Sequence, residues 1–165
     1  MNGGAAQRSR VTELKVTFAG AVDLQAGAFT LTRQSDGLTI SSAAGGQVGV
    51  VTSLVGGTSV ATLTFGGGGG VQSLSLNDGV WVLRVYAGKV SATGTTVGMA
   101  SDYATPSSGT GRIFRLFGDS NGNATVDNID SLRLRNTYGR NSAEPLFRAK
   151  FDYNINCLID NIDQL

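Results

Sequence analysis

The sequence predicts a mainly β protein that ends in a small helical tail, and three observations support this fold class. Glycine is abundant, with 24 of 165 residues, whereas proline is scarce, with 2; this balance disfavours helix interiors and favours tight turns. Between residues 8 and 104, apolar and polar residues alternate with the period of half-buried strands. Beyond residue 117 the pattern changes to two acidic loops and a helix-forming segment.

Six segments of the first hundred residues have the composition of strands and are separated by turn-forming residues. They are residues 11–18, 28–32, 38–41, 48–54, 59–65 and 80–86. The last segment, with Trp81 and Tyr86, is the richest in β-branched and aromatic residues. Short strands at this spacing predict a β-sandwich over residues 8–104.

The remaining segments lack a strand pattern. Residues 1–7 are expected to be a disordered start, and residues 105–117 a linker with an apolar connecting segment, Ile113–Phe117, that packs the tail near the sandwich. Residues 118–165 form the tail. A helix is expected there over residues 130–138, ended by Gly139, with a second short helix over residues 145–150.

Charge and hydropathy exclude several functions. The net charge is +1 without a basic stripe, so no nucleic-acid partner is expected. No apolar run approaches 18 residues, so no membrane span is expected. No signal-peptide pattern is expected within the chain, so any export signal is expected upstream of it.

Two twelve-residue stretches in the tail repeat one another at an offset of 33 residues. The first, loop one, is Asp119–Asp130, and the second, loop two, is Asp152–Asp163. They are identical at positions 1, 3, 5, 9, 10, 11 and 12, and position 8 is apolar in both (Val126 and Ile159). Asx-rich turns are the alternative interpretation of these stretches, but the duplication favours a shared binding function.

The shared positions are those from which a calcium loop draws its ligands. Ca²⁺ takes six to eight oxygens from positions 1, 3 and 5, the backbone carbonyl of 7, position 9 and a carboxylate at 12. Loop one offers Asp119, Asn121, Asn123, the Thr125 carbonyl, Asp127 and Asp130. Loop two offers Asp152, Asn154, Asn156, the Leu158 carbonyl, Asp160 and Asp163. The sequence therefore predicts two calcium sites, and oxygen ligands also admit magnesium or manganese.

Position 6 of a calcium loop is ordinarily glycine, because the chain turns sharply there. The two loops have Ala124 and Cys157 instead. A positive φ at a non-glycine residue costs on the order of 1 kcal/mol or more. We therefore expect weakened calcium binding, most of all in loop two.

The duplicated loop, followed by Leu134-Arg-Asn-Thr-Tyr-Gly139, resembles type I dockerin modules. The resemblance implies a tail folded around two calcium ions that docks onto a cohesin-like protein. Docking would use loop positions 10 and 11, which here are Asn128, Ile129, Asn161 and Ile162. The usual small hydroxyl pair is thus replaced by Asn-Ile, and the chain stops at Leu165, before a second loop helix. A homodimer in which another copy completes the truncated tail is one consequence of that departure.

Four segments of the first part resemble immunoglobulin-like modules that precede dockerin-like tails in large secreted bacterial proteins of the planctomycete type. They are Val11–Phe18, Gly27–Thr32, Thr58–Phe65 and Leu76–Val90. The resemblance implies a secreted or cell-surface context. Taken with the two loops, the sequence predicts a non-catalytic, calcium-binding module with a structural, adhesive or protein-attachment role.

A divalent-metal hydrolase acting on phosphoesters is the alternative. An open coordination position in an incomplete loop two would allow a bound ion to activate water. The chain has no histidine and no obvious general base outside the ligand set. Gly118–Gly122 matches the nucleophile-elbow pattern around Ser120, but that elbow needs a histidine base. No catalytic residue is therefore predicted.

Overall fold

The computed structural model describes residues 6–163, which form a mainly β protein with antiparallel sheets and one α-helix, α1 (Asn128–Thr137). The strands are β1 (Glu13–Thr17), β2 (Val22–Leu24), β3 (Phe29–Arg33), β4 (Thr39–Ser41), β5 (Val48–Val55), β6 (Thr58–Phe65), β7 (Val71–Gln72), β8 (Ser75–Leu76), β9 (Gly79–Val85), β10 (Val90–Ala92), β11 (Tyr103–Ala104) and β12 (Ile113–Arg115). Short 3₁₀ turns lie at Ala87–Lys89 and Asn161–Asp163.

Two larger sheets make up the β region, which we define as residues 8–115. One is three-stranded in the order β1-β6-β5. The other is five-stranded in the order β11-β9-β3-β4, and β12 also pairs with β9. Two small antiparallel pairs, β10-β2 and β7-β8, complete the region.

The core of the β region follows from the alternation of its strands. In β6, Ala61, Leu63 and Phe65 are buried, and the residues between them are not. These side chains belong to one apolar cluster with Phe29 and Trp81 of the other sheet. The indole N–H of buried Trp81 donates to the Asn77 carbonyl at 2.9 Å, so this ring is buried without an unsatisfied polar group.

The six predicted strand segments all coincide with strands, but the predicted linker over residues 105–117 differs from the structure. Ile113–Arg115 forms β12, with Ile113 opposite Trp81 on β9. Ile113 is buried in the main apolar cluster. The apolar connecting segment is therefore partly a strand of the β region, because its alternating side chains fill the space beside Trp81.

The tail, defined as residues 118–163, contains α1, which begins two residues before the predicted helix. The Asp127 side chain caps the helix by accepting a hydrogen bond from Ile129 N. The Asp130 side chain accepts in turn from the Asp127 N–H, which completes a capping box. Gly139 lies just beyond the helix with φ +74° and donates to the Ile159 carbonyl at 2.8 Å.

The predicted helix over residues 145–150 is wrong. Turns occupy this segment, and they are closed by isolated backbone hydrogen bonds such as the one from Phe147 N to the Glu144 carbonyl at 3.0 Å. The Arg148 N–H donates instead to the Thr137 hydroxyl at 3.0 Å. Leu134 of α1 forms a second buried cluster with Phe151 and Ile159, and Phe147 packs against it. The apolar side chains in and after this segment therefore hold its turns against α1.

The predicted disordered start lies outside the described residues up to residue 5. Gln7 is described, and it exchanges two hydrogen bonds with Arg10, at 2.9 and 3.1 Å. Over residues 6–163, no helix has the length and apolar character needed to cross a membrane.

Candidate functional site

The carboxylate at the first position of each loop accepts hydrogen bonds from the loop backbone. In loop one, Asp119 accepts from Ala124 N at 2.9 Å. In loop two, Asp152 accepts from Cys157 N at 3.0 Å. The bond between positions 1 and 6 is therefore the same in both loops.

The other shared positions repeat this agreement. The carboxylate at position 12 accepts hydrogen bonds from the backbone N–H groups of positions 2 and 9. In loop one, Asp130 accepts from Ser120 N at 2.9 Å and from Asp127 N at 3.1 Å. In loop two, Asp163 accepts from Tyr153 N at 2.7 Å and from Asp160 N at 2.9 Å. Side chains at positions 3, 5 and 9 each accept from the N–H two residues on: Asn121, Asn123 and Asp127 in loop one, and Asn154, Asn156 and Asp160 in loop two. The sequence repeat is thus also a repeat of hydrogen-bond geometry.

The end carboxylates of both loops are buried. Asp119, Asp130 and Asp163 are 0% exposed and Asp152 is 4% exposed. The hydrogen bonds described above reach them mainly from neutral backbone N–H groups. A buried carboxylate is costly unless it is paired, hydrogen-bonded or bound to a metal, so the four groups concentrate negative charge where water is scarce.

The local field around Asp130 favours its ionised form. Burial by itself raises the pKa of this carboxyl. The Ser120 hydroxyl at 2.7 Å, the two N–H donors and the charge of Arg133 outweigh burial. The pKa of Asp130 therefore lies below its ordinary value, so the carboxylate is available to a cation at neutral pH.

A basic side chain stands beside each loop and donates to the loop backbone. The Lys150 ammonium donates to the Ser120 carbonyl at 3.0 Å, and its pKa is lowered by burial and by the charges of Arg133 and Arg148. The Arg10 guanidinium donates to the Asp152 carbonyl at 2.7 Å, and burial lowers its pKa while the charge of Asp152 raises it. Both cations thus fix the backbone at the start of a loop.

Both loops turn through the left-handed region at positions 4 and 6. Position 6 has φ +68° at Ala124 and +66° at Cys157, which is the backbone that calcium loops ordinarily give to glycine. Position 4 has φ +80° at Gly122 and +57° at Ile155. A Cβ on Gly122 would lie 1.8 Å from the Ala6 carbonyl oxygen, whereas Ile155 is exposed. Only loop one therefore needs glycine at position 4 for space.

The loops differ from one another beyond this shared frame. Ile159 at position 8 is buried against α1, whereas Val126 is 36% exposed. Leu158 forms a bridge with Asn141 in the segment after α1. The apolar residue at position 8 thus anchors loop two to the rest of the tail, whereas Val126 of loop one lies outside the buried clusters.

The carboxylates of each loop are not gathered around one point. Over residues 6–163, no three carboxylate, imidazole or thiol groups are placed to hold a metal ion together. Each carboxylate is engaged instead with backbone N–H groups of its own loop. A metal would thus have to draw the ligand side chains inward from the positions described.

The positions named for partner binding lie on the surface. Ile129 is 54% exposed and Ile162 is 65% exposed, and Asn128 and Asn161 are exposed beside them. The Asn161 side chain accepts from the Tyr138 hydroxyl. Ser120 is buried at 4% and its hydroxyl donates to Asp130, so it does not present a nucleophile.

The segment at residues 8–10 joins the two loops to the β region, and sequence reasoning missed it. Arg8 N and Ser9 N both donate to the Asp119 carbonyl at 2.8 Å. The Ser9 hydroxyl donates to the Lys150 carbonyl at 2.6 Å and accepts from Gly118 N at 2.9 Å. These are contacts between residues more than 100 positions apart, so no local pattern could have revealed them.

Arg115 at the end of β12 completes this junction. It is 4% exposed, donates to the Ser9 carbonyl at 3.0 Å and pairs with Asp78 at 3.2 Å. Its guanidinium also lies over the rings of Phe117 and Tyr153, 5.4 and 5.8 Å from their centroids. Tyr153 is position 2 of loop two, so one buried side chain connects the β region with that loop.

No protein-family model, no curated protein and no solved structure matches this chain.

Proposed function

We propose that the tail binds two calcium ions, one in each loop, and that the chain is a non-catalytic, calcium-ordered module for protein attachment or adhesion. The observation that carries the proposal is the repeated loop frame with its buried end carboxylates. Asp119 and Asp130 in loop one, and Asp152 and Asp163 in loop two, are at most 4% exposed. A hard divalent cation would compensate this buried negative charge.

The donor chemistry of the loops fits calcium. Each loop contains three carboxylates, two asparagine amides and the carbonyl of position 7, which are all hard oxygen donors. A carboxylate has about four lone-pair positions, so the backbone hydrogen bonds described above leave each end carboxylate able to accept a cation. Magnesium requires near-ideal octahedral geometry and keeps its waters, whereas calcium takes six to eight oxygens in less regular geometry, so a loop with this many oxygen donors favours calcium over magnesium.

Binding would contract each loop, because the three carboxylates do not yet converge. In loop one the contraction would bring Asp127 toward Asp119 and Asp130. Its Oδ2 lies 3.4 Å from the Asn123 amide nitrogen, and the same contact joins Asn156 and Asp160 at 3.4 Å in loop two. Positions 5 and 9 are thus already adjacent, and we expect the ion to bind on their side of the loop.

The β region would support the tail within a larger secreted or cell-surface protein. We infer that its two facing sheets form an immunoglobulin-like sandwich. The surface formed by Asn128, Ile129, Asn161 and Ile162 is the part of the tail that would meet a cohesin-like protein partner. This assignment of the partner-binding surface is supported by the exposure of Ile129 and Ile162, which occupy the same position in the two loops.

Calorimetric titration of the EDTA-treated protein with calcium tests the proposal. We expect two binding events, together with a higher melting temperature, because a ligand that prefers the native state stabilises it. Asp119→Ala should remove one event and Asp152→Ala the other. Asp36→Ala is the matched control, because this exposed aspartate lies outside the two loops and pairs with Arg33.

Two outcomes would contradict the proposal. One is no heat and no thermal shift at millimolar calcium. The other is binding that survives both loop substitutions, which would place the ion elsewhere. Assaying the metal-loaded protein with an activated phosphoester separates the hydrolase alternative, for which activity must disappear with Asp119→Ala or Asp152→Ala.

A further inference from the structure

Strand β5 is an exposed edge of the three-stranded sheet, since that sheet has the order β1-β6-β5. It joins β6 through Gly56-Gly57, with Val55 opposite Thr58. In a two-residue hairpin the pair flanking the turn exchanges hydrogen bonds, and every second pair then does so. Farther along, Gly66 N donates to the Gln47 carbonyl at 2.8 Å, in phase with this alternation.

The alternation leaves Val50, Thr52 and Leu54 with their backbone N–H and C=O groups directed away from β6. These groups meet no partner strand within residues 6–163, because β5 has no neighbour on that side. Three donors and three acceptors therefore form a regular ladder on one edge. Such an edge is a template for pairing with another strand.

The β5 edge lacks the features that normally block such pairing. Proteins protect edges with charged residues, proline or very short strands. The opposite edge of the same sheet, β1, carries Glu13 and Lys15, and β4 and β11 have three and two residues. β5 has eight residues and no charge, and residues 37–77 contain no Asp, Glu, Lys or Arg.

Apolar side chains are exposed on both faces of β5. Val51 is 68% and Val55 59% exposed on the outer face. Leu54 is 66% exposed although it follows Val48 and Val50 on the core-facing side. The end of the hairpin thus extends beyond the core, with its apolar surface uncovered on two sides.

We propose that β5 pairs antiparallel with β5 of a second copy of this chain, about a two-fold axis at Val51, which places Val51 opposite Val51 and Val50 opposite Thr52. A second copy fits because the edge is self-complementary: each copy offers the same three donors and acceptors, and two neutral strands meet without like-charge repulsion. A charged partner would find no counter-charge between residues 37 and 77. The dimer joins two three-stranded sheets into one and is distinct from any pairing through the tail.

One paired strand gives a small interface. Specific complexes below about 1,200 Å² of total buried area are weak and transient. We therefore expect a monomer–dimer equilibrium in about the micromolar range or weaker, which is independent of calcium.

Sedimentation velocity over a range of protein concentrations, with EDTA present, tests the dimer. Wild type should convert from monomer to dimer as its concentration rises. Val51→Lys and Val51→Glu should each weaken dimerisation by about tenfold or more, because like charges then meet across the strand pair. An equimolar mixture of the two variants should dimerise again. Val97→Lys is the matched control, because Val97 is equally exposed, at 67%, but lies outside β5.

Amide hydrogen exchange gives a second readout that does not depend on a substitution. Exchange at Val50, Thr52 and Leu54 should slow as protein concentration rises, whereas exchange at β1 should not change. The proposal is overturned by a monomer at all concentrations, by dimerisation that Val51→Lys leaves intact, by loss of dimer in Val97→Lys, or by species larger than a dimer. Unchanged melting of the variants shows that they remain folded.

Discussion

At the scale of single residues, the two loops form an internal comparison of the same backbone with different side chains. Position 4 is Gly122 in loop one and Ile155 in loop two, and both have positive φ. For a β-branched side chain this backbone is a strained conformation. Loop two therefore contains two strained residues, Ile155 and Cys157, whereas loop one has only Ala124.

Ile155→Gly should stabilise the protein by about 1 kcal/mol, because glycine adopts positive φ without the steric cost of a Cβ. The strain is already present in the loop as described, so we expect the change to affect stability more than calcium affinity. Denaturant unfolding with and without calcium measures both. Ile155→Ala is the matched control: it removes the branched side chain but keeps the Cβ, so it should gain less. Equal stability of the two variants would contradict the strain at this position.

The positive φ at position 6 of each loop could be predicted from the sequence, whereas the need for glycine at position 4 of loop one could not. Aligning the loops places Ala124 and Cys157 where calcium loops turn sharply, and both have positive φ. The requirement for Gly122 comes from the Ala6 carbonyl, more than 100 residues away in the sequence, whose oxygen would lie 1.8 Å from any Cβ at position 122. Close approach between distant segments leaves no trace in local sequence.

At the scale of elements, strands with strong alternation were predictable and short polar ones were not. Burial alternates with a period of two throughout β6, and from Val80 onward in β9. β11 consists of Tyr103 and Ala104 and lies among small polar residues, so its pairing with β9 is fixed only by tertiary structure. Residues 145–150 carry helix-compatible side chains, but Thr137 and the α1 packing hold them as turns.

Ile113→Ala tests whether β12 belongs to the β region. Ile113 is 5% exposed in the main core, and large-to-small substitutions of this kind cost about 2–5 kcal/mol. Urea unfolding followed by tryptophan fluorescence measures the loss, since Ile113 lies opposite Trp81. Val97→Ala, at an exposed valine, should change stability by less than about 0.5 kcal/mol. A nearly neutral Ile113→Ala would instead agree with a linker at this position.

At the scale of the whole molecule, the tail and the β region are connected by buried polar contacts rather than by a flexible linker. Residues 8–10 bind the first residue of each loop through the Asp119 and Asp152 carbonyls. Arg115 joins the same segment to Tyr153. Ordering of the loops by calcium should therefore also affect the stability of the β region.

Arg115→Met should lower the free energy of unfolding by about 2 kcal/mol or more, because it removes a charged hydrogen bond and leaves the Ser9 carbonyl unpaired. The substitution should also weaken the connection between the tail and the β region, so that thermal unfolding separates into a tail transition and a β-region transition. Differential scanning calorimetry resolves the two. Arg84→Met is the control, since its ion pair with Asp102 is exposed and such pairs contribute about 0–1 kcal/mol. A single transition in Arg115→Met with unchanged stability would exclude Arg115 as the connection.

The most direct test of the central claim is a calcium titration followed by residue-resolved amide NMR. If the two loops bind calcium, the amide signals of Ala124 and Cys157, which donate to the first carboxylate of each loop, should move on addition of calcium and return with EDTA. Signals of β9 should stay in place. No movement in either loop at millimolar calcium, or movement confined to residues outside Asp119–Asp130 and Asp152–Asp163, would contradict calcium binding by the duplicated loops.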